Sequence, residues 1–402
     1  MTTSASPSAQ PTASNHPVLA EVIVDTSAIR ANVRTLVDKA APAQVMAIVK
    51  ADGYNHGASV AAQAALDGGA QMLGVATCAE ALSLRTQGFT CPITAWMWIP
   101  GEPLEDVFAE DITVGIPSLA HAEAFVQAAA AASEASGIRP KAGLMVDTGL
   151  SRSGISPVEL DQVIDFLAQH AQTFEMTGAF SHLASADMDA GREVTDLQAA
   201  RFNAAIAKAE AAGLEMPANH LANTPALLSR PDLRYQVVRP GVSVYGIDPM
   251  ETPTDTHFAP AMTLRARVVT TRTVQAGEGV SYGHLWHAQQ DTTTAVVALG
   301  YADGIPRSAS GKFSVAINGT RYPQIGRVCM DQFVVDLGQD HSVKPGDWAV
   351  VFGHNGPHVD EFAQASGTIS YENLTLPRGP RVARRVVNSA EEIDGNEAAN
   401  DR

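Results

Sequence analysis

Between residues 45 and 238, short apolar runs alternate with helical stretches, and polar residues gather just past the runs. This alternation limits the possible folds more than any other feature of the chain. The strand-like runs are 45–49, 72–76, 93–96, 112–114, 141–146, 174–180, 219–222 and 236–238. Helix-forming stretches fall between most of them, at 58–67, 80–86, 119–136, 157–170 and 191–212. Runs apolar on every position read as strands buried on both faces, as in a parallel sheet. The pattern predicts an α/β architecture, an N-terminal (β/α)8 TIM-type barrel, with its chemistry at the carboxyl ends of the strands. Lys50, Asp147, His182, Asn223 and Arg239 all follow such runs. A doubly wound sheet fits the same alternation, but no GxGxxG follows the first strand.

The texture changes after about residue 260. Runs at 264–274, 294–299, 313–317, 332–335 and 349–352 are mostly rich in β-branched residues, and no helical pattern lies between them. Turns are marked by Ala276-Gly277, Asn318-Gly319 and Pro345-Gly346-Asp347. Asn-Gly between strands is a strong hairpin signal. A C-terminal all-β domain is therefore expected over 257–388, after a barrel over 17–256. A strand at 21–24 opens the folded part, and Asp25, Thr26 and Ser27 offer caps for a helix to about residue 38. Residues 1–16 and 389–402 read as disordered tails, the second acidic. The first has neither a basic start nor an apolar core, unlike a signal peptide.

Composition excludes several function classes. A net charge of −16 argues against nucleic acid and against anionic membrane surfaces, though not against a small anion held by local basic residues. The 3 cysteines, Cys78, Cys91 and Cys329, fit free thiols in a reducing, cytoplasmic setting, and their spacing suggests no metal site. No apolar run approaches transmembrane length.

Lys50 stands out within this frame. It ends the first buried strand and opens a loop dense in polar and turn-forming residues, Asp52, Gly53, Tyr54, Asn55, His56 and Gly57. An amine desolvated at the ligand-bearing edge of a barrel has a lowered pKa and can attack carbonyls. A surface lysine just past a strand end is the plainer alternative on this stretch alone.

The run Ile48-Val49-Lys50-Ala51-Asp52-Gly53-Tyr54-Asn55-His56-Gly57 resembles the pyridoxal-phosphate signature of the alanine racemases. The resemblance continues in order through Val146-Asp147-Thr148-Gly149-Leu150-Ser151-Arg152, His220-Leu221-Ala222-Asn223, Arg239-Pro240-Gly241-Val242-Ser243-Val244-Tyr245-Gly246, Val280-Ser281-Tyr282-Gly283, Gly300-Tyr301-Ala302-Asp303-Gly304, Gly326-Arg327-Val328-Cys329-Met330-Asp331 and Ser370-Tyr371-Glu372. It implies an enzyme that interconverts L- and D-alanine with pyridoxal 5'-phosphate and two acid/base groups, supplying D-alanine for peptidoglycan. Lys50 would carry the cofactor and act on one face of the α-carbon, with Tyr282 on the other. His182 would hydrogen-bond that tyrosine, because an ordinary phenol, with a pKa near ~10, is a poor base at neutral pH. Arg239 would face the pyridine nitrogen. Tyr54, Tyr371, Thr224 and the backbone of Gly241 and Val242 would hold the phosphate, with Thr224 where the family usually has serine. Arg152, Met330 and Tyr301 would serve the substrate carboxylate, and Asp331 would orient its neighbours. The resemblance also implies a homodimer in which Tyr282 comes from the other subunit.

One position departs from the family. Many members carry a carbamylated lysine two residues before the Asp of Asp-Thr-Gly, which positions the arginine; here it is Met145. Arg152 must be oriented in another way. Three alternatives stay open: a racemase of this fold acting on serine or a broader set, a barrel-only cofactor-binding protein, and a decarboxylase of the same two-domain fold. Tyr282 and the β pattern argue against the second. The third would need a catalytic cysteine together with a diamine-carboxylate site, a combination not found in the matching motifs.

Overall fold

The computed structural model describes residues 17–395. The expected tail 1–16, and residues 396–402 of the expected C-terminal tail, lie outside the described residues. Residues 389–395 were expected to be disordered with the rest of that tail, but Glu391–Gly395 is a short helix.

The chain divides into two compact units. One holds Val24–Met262, Ser370–Thr375 and the described residues from Val386 onward. The other holds Thr263–Ile369, Leu376–Arg385 and the described residues up to Ile23.

The first unit is a curled parallel sheet. Its strands lie in the order Glu175–Phe180, Lys141–Met145, Ile112–Ile116, Ile93–Met97, Met72–Thr77, Gln44–Ile48 and Val237–Val238. The segment 219–223 closes the ring as an eighth stave through parallel bridges Phe180 to His220 and Asn223 to Arg239. His220 donates its N–H to Ala179 O at 2.9 Å, and Arg239 donates to Ala222 O at 2.9 Å. The strands are apolar on both faces because both are covered; Ile112–Ile116, for example, is buried at every position. Local caps place several helices where the sequence predicts them. Asp25 Oδ1 accepts from Ser27 and Ala28 N at the start of Thr26–Ala40. Ser118 caps Leu119–Ser136, and Thr77 with Glu80 forms a capping box at Cys78–Thr86.

The second unit is an antiparallel β-barrel. Met262–Val274, Thr292–Val297, Phe333–Gly338, Thr320–Ile325, Ser314–Ile317 and Trp348–Phe352 pair in that order, and the last returns to the first. Asn318 and Gly319 both have positive φ, 51° and 79°, as a two-residue hairpin requires, and they set the register Ile317 opposite Thr320. Ala20–Asp25 and Val382–Val387 extend this sheet beyond Met262–Val274. The opening strand therefore pairs with the C-terminal sheet, although it precedes the parallel barrel in sequence. The region is not free of helices, as the sequence pattern implied: Val359–Ser366 is helical, with His358 and Glu361 forming its capping box.

Candidate active site

Lys50 directly follows the strand Gln44–Ile48 and the residue Val49, and the backbone after it is unusual. Ala51, Asp52, Gly53, Tyr54 and Asn55 have φ of 54°, 55°, 62°, 51° and 66°. This is a turn of left-handed helix, which costs an L-residue roughly 1–2 kcal/mol per position. Its own hydrogen bonds hold it: Gly53 N donates to Val49 O at 2.9 Å, Asn55 N to Ala51 O at 3.0 Å, and Gly57 N to Asp52 O at 2.8 Å. The buried His56 places Nδ1 2.9 Å from the carbonyls of both Gly53 and Tyr54. Strain kept in place by so many bonds is a mark of functional segments. The turn buries the Tyr54 ring against Tyr245 at 4.8 Å, and the Tyr371 ring lies 6.3 Å away. Tyr371 reaches this place because the helix Ser370–Thr375 belongs to the barrel unit.

Around Lys50 the charge is mostly positive. Burial lowers the Lys50 pKa, Arg152 lowers it further, and Glu80 opposes both. The amine lies 5.8 Å from the centre of the Trp96 ring. His182 is held neutral, its pKa pushed down to about 3 by burial and then by Arg239, Arg152 and Lys50. Arg239 is buried, and among the described residues no carboxylate pairs with it. Its Nη1 donates to His220 O at 2.5 Å and lies 3.0 Å from His220 Nδ1. Its Nη2 donates to the carbonyls of Ser181 and Leu221. Burial alone brings its pKa down to about 10, so it stays charged at neutral pH. Its Nε–H has no partner among the described residues. Because His220 Nδ1 accepts from a guanidinium, that imidazole is neutral too.

Tyr54, Tyr371, Thr224, Gly241 and Val242 lie on the same unit. Burial raises the pKa of both Tyr54 and Tyr371, so both keep their hydroxyl protons. Neither hydroxyl has a hydrogen-bond partner among the described residues. Thr224 begins the helix Thr224–Ser229, and its Oγ1 accepts from Gly241 N at 3.0 Å, leaving its own proton free to donate. A Cβ on Gly241 would stand 2.7 Å from the Tyr54 hydroxyl, so a larger residue would push that hydroxyl out of place. Val242 follows at the start of the turn Val242–Tyr245.

In the β unit, Tyr282 is 70% exposed, Met330 53% and Tyr301 43%. Tyr282 lies between Ser281 and Gly283, both at positive φ, and Ser281 Oγ donates to Arg327 O at 2.7 Å. Tyr301 N donates to Cys329 O and Ala302 N to Met330 O, both at 3.0 Å, which brings Tyr301 and Met330 onto neighbouring segments. Arg381 grips the buried Asp303 through Nε at 3.0 Å and Nη2 at 3.1 Å, and also pairs with Asp331.

Comparison with known proteins decides the family. Residues 24–249 match "Alanine racemase, N-terminal domain" and residues 261–386 match "Alanine racemase, C-terminal domain". The chain belongs to the alanine racemase family. It is 44% identical over 373 residues to the alanine racemase of Mycobacterium avium (strain 104), covering 91% of this chain and 95% of the relative. It is 47% identical over 370 residues to that of Salinispora arenicola, covering 91% and 97%. The crystal structure of alanine racemase from Streptomyces lavendulae, a D-cycloserine producer, superposes with a TM-score of 0.88 at 39% identity, covering 94% of this chain and 99% of that one. An alanine racemase from Bartonella henselae, solved with covalently bound pyridoxal phosphate, gives a TM-score of 0.83 at 30% identity, covering 92% and 100%.

Met145 stands where the resemblance implies a carbamylated lysine. Met145 is buried, and Ser153 Oγ lies 3.8 Å from its sulfur. The backbone leading to Arg152 is held by Asp147, whose Oδ1 accepts from Gly149 N at 2.9 Å and Ser151 N at 3.1 Å. From the helix Arg192–Ala211, Gln198 donates to Thr148 Oγ1 at 3.1 Å and Arg201 to Thr148 O at 3.0 Å. Thr148 in turn meets Ser181 Oγ at 2.8 Å. Arg152 itself is exposed and makes no hydrogen bond among the described residues. Sequence reasoning gave no role to Glu80, Trp96, Gln198, His220 or Arg381. The Thr77-x-x-Glu80 spacing signals a capping box, but nothing in it signals that the carboxylate also reaches the Lys50 turn.

Proposed function

We propose that this chain interconverts L- and D-alanine by a two-base mechanism with pyridoxal 5'-phosphate, supplying D-alanine for peptidoglycan in the cytoplasm. The observation that carries the reading is Lys50 on its strained turn, with its pKa lowered, on the same unit as two phenols and a charged guanidinium that, among the described residues, have no hydroxyl partner and no neutralising carboxylate. The donor set fits the cofactor. Lys50 Nζ is the attachment point for its aldehyde. The hydroxyls of Tyr54, Tyr371 and Thr224 and the backbone of Gly241 and Val242 would hold its phosphate, and the Arg239 Nε–H would serve its ring nitrogen. When bound, the cofactor supplies an electron sink for the charge left at the α-carbon.

The chain's own residues do the rest. Lys50 Nζ takes or returns the α-proton on one face, which its lowered pKa favours. Tyr282 Oη does the same on the other. His182, held neutral, is the hydrogen-bond partner that polarises this tyrosine. Arg239 stays charged at neutral pH and would keep a bound cofactor's ring nitrogen unprotonated, which would moderate the sink and limit side reactions. Arg152, with the Met330 backbone and Tyr301, receives the substrate carboxylate, and Asp331 orients these groups. We assign Tyr282 to the site of a second copy, so that the active unit is a homodimer with two shared sites.

The test is direct. L-alanine incubated with the holoenzyme loses optical activity at constant mass, and borohydride fixes the cofactor to Lys50 in a peptide map. In Lys50→Ala both should vanish, with racemisation down at least ~1,000-fold. Undiminished racemisation in that variant would refute the assignment.

A further inference from the structure

One carboxylate near Lys50 gathers three backbone N–H groups from two separate segments. Glu80 Oε2 accepts from Ala76 N at 2.8 Å and Thr77 N at 3.0 Å. Those bonds, with Glu80 N donating to Thr77 Oγ1 at 3.2 Å, close the start of the helix Cys78–Thr86. Glu80 Oε1 does something the cap does not need: it accepts from Ala51 N at 2.7 Å. Ala51 is the residue after Lys50 and the first in the left-handed conformation, with φ of 54°. The internal ladder of the turn begins only at Gly53 N, so Ala51 N would otherwise have no acceptor within the turn. An alanine in this region gains free energy by relaxing out of it. A charge-assisted bond at this residue opposes that relaxation.

We propose that Glu80 is a positioning residue for the reaction: by holding Ala51 N it locks the left-handed turn and so fixes the direction of Lys50. The proposal rests on the reading of Lys50 as the cofactor-bearing lysine. Its charge has a second effect, since Glu80 is the acidic group that offsets burial and Arg152 at the Lys50 amine. The helix cap and the turn clamp are separable in the side chain, one oxygen serving each, and this makes the idea testable.

Two variants of the holoenzyme separate the roles. Thr77→Ala removes the reciprocal half of the cap and leaves the Ala51 bond in place. Glu80→Asp keeps the charge and can still cap its own helix, but it is one methylene too short to span to Ala51. Measured are kcat in both directions, KM for alanine, Tm, and the fraction of chains in which borohydride fixes the cofactor to Lys50. Glu80→Asp should lower kcat by about 10-fold or more with KM within about 2-fold, and lower the fixed fraction. Thr77→Ala should lower Tm while kcat stays within about 2-fold of the parent. Equal kcat in the two variants, or a parental kcat in Glu80→Asp, would reduce Glu80 to a helix cap and overturn the proposal. Fixation of the parent's cofactor on a lysine other than Lys50 would overturn the reading of Lys50 and this proposal with it.

Discussion

The candidate residues on the parallel barrel and those on the β unit are held in opposite ways. In the barrel unit, Arg239 is buried under four acceptors, His182 is kept neutral by burial and neighbouring cations, and Lys50 leads into five consecutive left-handed residues. In the β unit, Tyr282, Met330 and Tyr301 are more than 40% exposed on loops whose backbones are tied down. The barrel therefore builds its site from groups that also support the fold. The β unit presents side chains that its own fold does not use. Substitutions in the first should change stability and activity together; those in the second should change activity alone.

The largest expected effect tests the first half of that contrast. Arg239→Leu removes the donor for the carbonyls of Ser181 and Leu221 and for His220 Nδ1, and one of the two donors to His220 O, the other being Ser181 N. Each orphaned acceptor costs ~1 kcal/mol or more, offset in part because a buried charge is removed as well. A net loss of about 3 kcal/mol is expected in urea unfolding of the holoenzyme, together with weaker cofactor retention. A stable variant that merely races or slows would show that Arg239 serves the chemistry without supporting the fold.

A smaller effect, of opposite sign, tests the strained turn. Ala51→Gly relieves the ~1–2 kcal/mol that an L-residue pays at positive φ. Against this stands ~0.5–1 kcal/mol of extra chain entropy lost by glycine on folding. The net should be a gain of roughly 0.5–1 kcal/mol in the urea midpoint analysis, with kcat within about 2-fold of the parent, because the Glu80 bond to the backbone N–H remains and the pull out of the left-handed region is gone. A more stable variant with a large loss of kcat would mean that the strain at Ala51 itself, and not the fixed geometry of the turn, serves Lys50.

What the sequence made legible follows the same division between local and non-local causes. The barrel strands and the helices Ala58–Asp67 and Leu119–Ser136 were visible because periodicity, caps and breakers lie within each segment. The Asn318-Gly319 hairpin was visible because turn chemistry is local. The strand Thr320–Ile325 was not, since Pro323 argues against a strand. It is tolerated because Pro323 pairs with Ser314 on one side, while pairing on the other begins at Gln324. The partner sheet of Ala20–Asp25 could not be read either, because nothing in those six residues names a neighbour. In the site, the motifs pointed to Lys50, Tyr54 and Tyr371, but not to how they are held. The acceptors of Arg239 are carbonyls, which any sequence supplies, and the reach of Glu80 to Ala51 depends on two strands lying side by side.

Tyr282→Phe should have the smallest effect on stability and so tests the second half of the contrast most sharply. The ring is 70% exposed and its hydroxyl has no partner among the described residues, so its loss should change stability by less than about 0.5 kcal/mol. The kinetic effect should be large and one-sided. With Lys50 intact, one enantiomer of alanine still exchanges its α-hydrogen with deuterated solvent at a substantial rate. Exchange from the other should fall by about 100-fold or more, the scale of a lost general acid or base. Equal loss from both enantiomers would mean that Tyr282 supports a shared step, and the two-base assignment would fail. Equal exchange at parental rates would return Tyr282 to the status of an exposed aromatic. A drop in stability as large as that of Arg239→Leu would break the contrast itself, because it would show that the β unit also folds around its candidate residue.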